Sequence, residues 1–185
     1  MITDPWFYAV AIPAVLLFGI SKGGFGGGLG TAAVPLMALV VSPVQAAAIL
    51  LPILCVMDLV GLWAYRGRWI WPELRLLIPA SMVGIAVGAL LFGFMSAASV
   101  RIIVGIVAIV FTLHYAYSTR HKADAALPHF PPAAGIAAGA AGGFTSFIAH
   151  SGGPPISMYL LRRPLDRTDF VATTVLLFAA INYVK

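Results

Sequence analysis

A few polar side chains stand inside stretches that are otherwise greasy, and their types suit the handling of an ion more than the making of a bond. Asp58 lies fourteen residues after Val44 within an apolar run, and Asn182 lies fourteen after Thr168 in a matching run. A charged carboxylate at such depth costs roughly 2.5–3.5 kcal/mol on insertion scales, so Asp58 must be protonated, paired or facing water. The segment Thr145-Ser146-Phe147-Ile148-Ala149-His150-Ser151-Gly152-Gly153-Pro154-Pro155 offers three hydroxyls and an imidazole ahead of a Pro-Pro that cannot continue a helical ladder. An imidazole titrates close to working pH, so Asp58 and His150, with Asn182 as the counterpart of Asp58, are candidates for coupling to a proton or another cation. The plainer alternatives are a neutral His150 satisfied by a neighbouring carbonyl and a structural hydrogen bond at Asp58.

The second chemical feature is backbone. Ser21-Lys22-Gly23-Gly24-Phe25-Gly26-Gly27-Gly28-Leu29-Gly30-Thr31 carries six glycines within eight residues. Each costs about 1 kcal/mol relative to Ala in a helix, so the run predicts a break at membrane depth. It contains no Gly-Lys-Ser/Thr step and no Gly-x-Gly-x-x-Gly register, which excludes both nucleotide fingerprints. Unwound backbone inside a bilayer survives only where protein buries it or it lines a wet cavity. Amides freed at the start of a following half-helix suit an anion. Gly24, Gly26, Gly27, Gly28 and Thr31 from this break, and Thr145, Ser146, His150, Ser151, Gly152 and Gly153 from the other, are therefore the candidate substrate-binding residues. The competing explanation is that the glycines merely let helices approach closely. The two breaks echo one another: Gly23-Gly24-Phe25 and Gly142-Gly143-Phe144 are each followed, ten residues after the Phe, by a Pro, Pro35 and Pro154. Paired interruptions in two halves of an apolar chain are the usual pointer to a transporter binding site.

The elements that must position these groups follow from composition. Of 185 residues, 61% are hydrophobic and 9% charged, far from a soluble domain. The apolar runs are long and greasy on every face, which predicts an all-α polytopic membrane protein and excludes a barrel of short alternating strands. The predicted spans are 6–21, a short piece 28–41, 44–65, 74–95 and 98–118 in a first repeat (1–118). A polar cytoplasmic linker (119–132) leads to a second repeat (133–185) with segments 133–149, a short piece 151–161, and 168–185. No basic region precedes Trp6, so the first stretch is not a secretory leader. The single Cys55 excludes a disulfide framework and a cysteine zinc site, and no cofactor is called for.

If each piece crosses, Lys22, Arg66, Arg68, Arg75, Arg120, Lys122, Arg162, Arg163 and Arg167 share one face, the cytoplasmic one by the positive-inside bias. Arg101 and Lys185 dissent. The net charge of +5 then reports orientation in a lipid bilayer and not a nucleic-acid partner. Five segments separate the echoes, so the second half enters the membrane in the opposite sense, giving a duplicated, inverted repeat with broken or re-entrant helices. The first repeat has two spans after Asp58, whereas the chain stops three residues after Asn182; completeness of the repeat predicts about sixty residues more, a C-terminal truncation. Gly84-x-x-x-Gly88 and Gly135-x-x-x-Gly139-x-x-x-Gly143 are close-packing signals, and Trp63, Tyr65, Trp69 and Trp71 read as an interfacial belt.

The stretch from Gly19-Ile-Ser-Lys22 to Gly28, the later Gly142-Gly-Phe-Thr145-Ser146-Phe-Ile-Ala-His150-Ser-Gly-Gly153-Pro-Pro155, and the internal duplication resemble the sulfite exporter TauE/SafE family. The likeness covers essentially the whole chain. It implies a multi-pass permease of the bacterial inner (cell) membrane, moving sulfite, an organosulfonate or a related small organic anion and coupled to an ion gradient. The expected partners are thus a small anionic solute and the lipid bilayer, with a homodimer left open. Two other functions are weighed. A non-transporting membrane scaffold subunit predicts no solute-dependent thermal shift. An intramembrane hydrolase would need His150 to activate Ser151 or Ser146, yet adjacent helical residues point about 100° apart and no second acid orients the His.

Overall fold

The computed structural model describes residues 4–24, 29–120 and 130–185, and among these every regular element is helical. The long helices are α1 (Pro5–Gly24), α3 (Pro43–Ala64), α4 (Trp71–Phe92), α5 (Ala97–Arg120), α6 (Pro132–Ala149) and α8 (Arg167–Val184). Two short helices interrupt them: α2 (Ala33–Met37), entered through a 3-10 turn at Leu29–Ala32, and α7 (Gly153–Leu160). Local chemistry sets several of these starts. Ser42 and Gln45 form a capping box ahead of Pro43, Asp166 caps α8 by accepting from the Asp169 amide, and a proline occupies the first turn of α4, α6 and α7, where its missing N–H costs nothing.

Four helices, α1, α3, α4 and α6, are long and apolar enough to cross a membrane. Their outward faces carry large exposed apolar side chains, among them Leu16, Ile20, Val56, Leu59, Val60, Val83 and Leu90, as expected where lipid replaces water as the solvent. Trp63 and Trp71 are exposed at the α3–α4 corner, the Arg66 guanidinium lies 5.4 Å from the Trp63 ring, and Trp69 meets Trp71 edge-to-face.

The short pieces do not cross. An eight-residue helix is about 12 Å long, less than half of a hydrocarbon core. The chain instead turns back. Gly142 of α6 lies against Ile156 of α7 and Gly135 against Tyr159, and after α7 the Arg163 guanidinium reaches the Phe130 carbonyl at 3.5 Å while Arg162 lies over the Phe130 ring. Helix α7 therefore returns to the face from which α6 set out. Glu73, at the start of α4, secures that return by accepting from Tyr159 Oη at 2.8 Å and from Arg163 Nε at 2.6 Å. In the first half the 3-10 turn lies against the last turns of α1, where the Gly30 amide donates to Ser21 Oγ at 2.8 Å and the Phe18 ring abuts Gly30. The end of α3 meets the end of α1, Tyr65 Oη donating to the Gly23 carbonyl at 2.7 Å. Both helices thus run in one sense, and α2 has brought the chain back between them.

Helix α6 lies parallel to α4. Gly139 sits on Leu77 and Ala80, Gly143 on Ser81, Gly84 on Ala140 and Phe144, and Gly88 on Phe147. The two small-residue signals of the sequence face each other across one seam. Helix α8 runs antiparallel to α3, with Val175 on Gly61 and Tyr183 Oη donating to the Cys55 carbonyl.

Two sequence expectations change. Helix α1 continues through Gly23 and Gly24, so the first interruption begins after Gly24. Lys22 is no surface base: it is buried and ion-paired with Asp58. A long stem on the inward side of α1, next to a carboxylate that needs a partner, outweighs its place in a basic tally. Arg66, Arg68, Arg75, Arg162, Arg163 and Arg167 remain together on the face where α3 and α7 end and α4, α6 and α8 begin.

Candidate functional site

The site grows from the two interruptions. Helix α6 ends on His150, whose backbone sits at φ 51° and ψ 28°, the left-handed region. A non-glycine residue takes that conformation at a cost, His less unwillingly than most. It lets the His150 amide donate to the Ser146 carbonyl at 3.0 Å and the Ser151 amide to the Thr145 carbonyl at 3.2 Å, closing the helix before the chain turns into α7. The same turn aims the imidazole inward. Its Nε2 lies 2.9 Å from the Ala47 carbonyl of α3, and its Nδ1 lies 2.8 Å from the Lys185 Nζ. A carbonyl can only accept, so the ring carries a proton on Nε2.

Lys185 Nζ donates to the Ser146 carbonyl and to Ser146 Oγ and lies beside His150 Nδ1, each at 2.8 Å. Across from this cluster stands a second one. Asp58 is fully buried, takes one oxygen to the Lys22 ammonium and accepts with the other from Asn182 Nδ2 at 2.6 Å. Lys22 also reaches the Leu54 carbonyl at 3.4 Å. Removal of one member of such a pair leaves an uncompensated charge in low dielectric, which is why both are held so closely.

Between the clusters lies a small cavity lined by Phe18, Lys22, Leu54, Ser146, His150, Gly153, Phe178 and Asn182, with about 20 Å³ of room. That admits a single water-sized body. His150 and Lys185 also border a wider groove of about 160 Å³, walled by Val44, Ala47, Leu51, Phe92 and Phe147. The imidazole therefore stands between the inner cavity and the groove.

The sequence candidates are distributed unevenly around this cavity. Ser146, His150 and Gly153 line it together with Asn182, and Asp58 adjoins it through Lys22 and Asn182. Gly152 is buried behind them against Gly142, Ser146 and Phe178. Thr145 and Ser151 turn their hydroxyls to local backbone, Thr145 Oγ1 donating to the Ala141 carbonyl at 2.8 Å and Ser151 Oγ to the Ala149 carbonyl at 3.0 Å. Thr31 is buried in the 3-10 turn and Gly24 is exposed at the end of α1. Gly26, Gly27 and Gly28 lie outside the described residues. Pro154 and Pro155 remove two of the first amides of α7, so little of a half-helix N-terminus is left to bind an anion. Lys22, paired with Asp58, is the stronger source of positive charge.

Lys22 and Lys185 are the residues that sequence reasoning missed. One signal was available for Lys22: it directly precedes the glycine run, at the depth where a helix is about to break. For Lys185 there was none beyond its position three residues after Asn182. The Ser-His pair of the hydrolase alternative is not assembled, because both imidazole nitrogens are engaged elsewhere and Ser151 Oγ faces the Ala149 carbonyl.

Comparison with known proteins is consistent with this geometry at the level of the family. No curated protein and no solved structure matches the chain. The family model for sulfite exporter TauE/SafE matches residues 11–185, and the chain belongs to that family of membrane transporters.

Proposed function

We propose that this protein is a secondary transporter of the bacterial inner membrane that carries a small anion such as sulfite, an organosulfonate or a related organic anion, coupled to an ion gradient. The observation that carries the proposal is the cavity between the two interruptions. Lys22 borders it from the end of α1, Ser146, His150 and Gly153 from the α6–α7 turn, and Asn182 from α8. Polar groups buried at this depth mark ion pathways, and a mid-bundle site between broken helices is the common plan of such carriers.

An inverted duplication fits the same frame. The unit of long helix, break, short return and long helix occurs as α1–α2–α3 and again as α6–α7–α8, with the second unit running in the opposite sense. Because each short return comes back to its own face, inversion no longer depends on counting every piece as a crossing. The basic face, with Arg66, Arg68, Arg75, Arg162, Arg163 and Arg167, is the cytoplasmic one by the positive-inside bias.

In this scheme Lys22 attracts the anion, Asp58 exchanges a proton or releases its hold on Lys22 as the anion arrives, and His150 with Lys185 separates the cavity from the groove. Flux in proteoliposomes tests it. With a proton gradient imposed, the wild-type chain accumulates sulfite or a sulfonate, while Asp58→Asn binds the anion but no longer accumulates it against a gradient. Unchanged uphill transport by Asp58→Asn removes Asp58 from coupling, and absence of any anion flux or binding by the wild type removes the transporter assignment.

A further inference from the structure

We infer that the groove is the mouth through which the anion reaches the cavity from the side away from the basic face, and that the His150 side chain is its gate, shut by the hydrogen bond to the Ala47 carbonyl. The inference rests on the transporter proposal and adds the direction of access and the part that moves.

Helix α3 lays out the path. Ala47, Leu51, Leu54 and Asp58 follow one another at helical spacing, so they form one stripe about 16 Å long. Ala47 and Leu51 wall the groove, Leu54 lines the cavity, and Asp58 lies at the far end with Lys22. Among the described residues that border the two spaces, His150 is the one they share. Val44 at the start of α3 and Phe92 at the end of α4 place the groove opposite the basic face, where α3 ends and α4 begins. The groove offers about 160 Å³ of room against about 20 Å³ in the cavity, so the path narrows at the imidazole.

Toward the basic face the way is closed by contacts between whole helices. The Lys22–Asp58 pair backs the cavity, and beyond it Tyr65 Oη ties α3 to the Gly23 carbonyl of α1. Glu73 holds α7 to that face through Tyr159 and Arg163. On the groove side the barrier is one ring, which spans from the end of α6 to α3 through its Nε2–H, with Lys185 beside Nδ1. The backbone that carries the ring is locked: Gly142 and Gly152 pack on one another with no space for a methyl group, and the His150 and Ser151 amides are bonded to the Ser146 and Thr145 carbonyls. Opening therefore falls to the torsions of the imidazole itself. As the ring swings away, the Ala47 carbonyl keeps its helical partner four residues on, and the freed Nε2–H is a donor for the passing oxyanion.

Thiol labelling in spheroplasts decides it, on a Cys55→Ala background that removes the single cysteine. The probe is sulfonatoethyl methanethiosulfonate, a membrane-impermeant anion, added from the outer face. Ala48→Cys, in the groove wall, is expected to react readily, and Leu54→Cys, in the cavity, to react slowly. Adding His150→Gly is expected to speed Leu54→Cys by about tenfold or more and to leave Ala48→Cys as it was, since a closed gate keeps the open form to about a tenth of the population or less. His150→Asn, which also accepts left-handed backbone but whose shorter side chain falls short of the Ala47 carbonyl, gives the same result where the glycine variant does not fold. Leu54→Cys reacting equally fast with and without the imidazole overturns the gate, and an Ala48→Cys that the aqueous probe cannot reach overturns the mouth. Sulfite flux through the Cys55→Ala chain is measured alongside: flux together with either of those results leaves the transporter proposal standing, and absence of flux overturns the proposal on which the gate rests.

Discussion

Helix α6 takes part in two regions that solve opposite problems. Along its length it meets α4 across a seam with almost no side chain in it: a methyl group built on Gly84 would run into the Ala140 carbonyl oxygen, and one built on Gly143 into that of Ser81. At its end the same helix presents Ser146 and His150 to Lys185, opposite the Lys22–Asp58–Asn182 cluster. The seam is held by close backbone approach and dispersion, which need shape and tolerate no added atom. The cavity is held by charges that need partners and tolerate exchange of one partner for another. A close-packed seam joining α6 to α4 beside a polar cluster suits the proposed carrier, in which one part stays while the other changes its bonds.

The contrast can be broken most severely at the ion pair. Lys22→Met alone strands Asp58 and is expected to cost about 3–5 kcal/mol, whereas the double variant with Asp58→Asn recovers most of that loss. Chemical denaturation in mixed micelles measures both, and a double variant no more stable than the single one would mean the pair is not coupled. Next comes the seam. Gly143→Val forces backbone apart and is expected to destabilise by about 1–3 kcal/mol or more, whether or not an anion is present. A loss that disappears on adding sulfite would show the seam and the cavity to be one cooperative unit.

A smaller effect separates backbone from side chain at the turn. His150→Gly suits the left-handed conformation and removes only the imidazole, while His150→Ala adds backbone strain of roughly 1 kcal/mol or more. Thermal melting should rank Ala below Gly, and anion flux should fall equally in both. Equal melting temperatures would deny that strain.

The smallest effect lies on the basic face, away from both regions. Arg68 bonds Asp166 and Asp169 at 2.8 Å each, and the Asp169 amide, with Arg68, holds the Asp166 carboxyl below its usual range. A depressed carboxyl stabilises the fold above its unfolded-state value and ceases to do so as pH falls through the folded-state value. Melting temperature should therefore decline on acidification below about pH 4, and the decline should be shallower in Asp166→Asn, which keeps a capping side chain but not the charge. A change near neutrality would point to a different group.

How much of this was legible beforehand depends on the range of the physics. Hydropathy and helix propensity are sums over neighbouring residues, so the helical membrane class, an interruption in the glycine run and the small-residue stripes could be read from the chain directly. The stripes could be seen but not matched, because nothing local says that Gly84 faces Ala140 or that Gly143 faces Ser81. Lys22 was misplaced for a related reason: a base at a helix end looks like an interfacial anchor until a carboxylate is brought beside it.

The chain by itself determined that Asp58 had to be protonated, paired or facing water, since the cost of a bare carboxylate in hydrocarbon holds whatever the fold. Which partners it would have was decided only in three dimensions, where Lys22 supplies the charge and Asn182, 124 residues away, the hydrogen bond. The same holds for the short helices. Glycine and proline dictated that they be short, but that α7 turns back toward the start of α6 was settled by Glu73 accepting from Tyr159 and Arg163, because direction in a bundle is set by contacts between helices and not by any property within one.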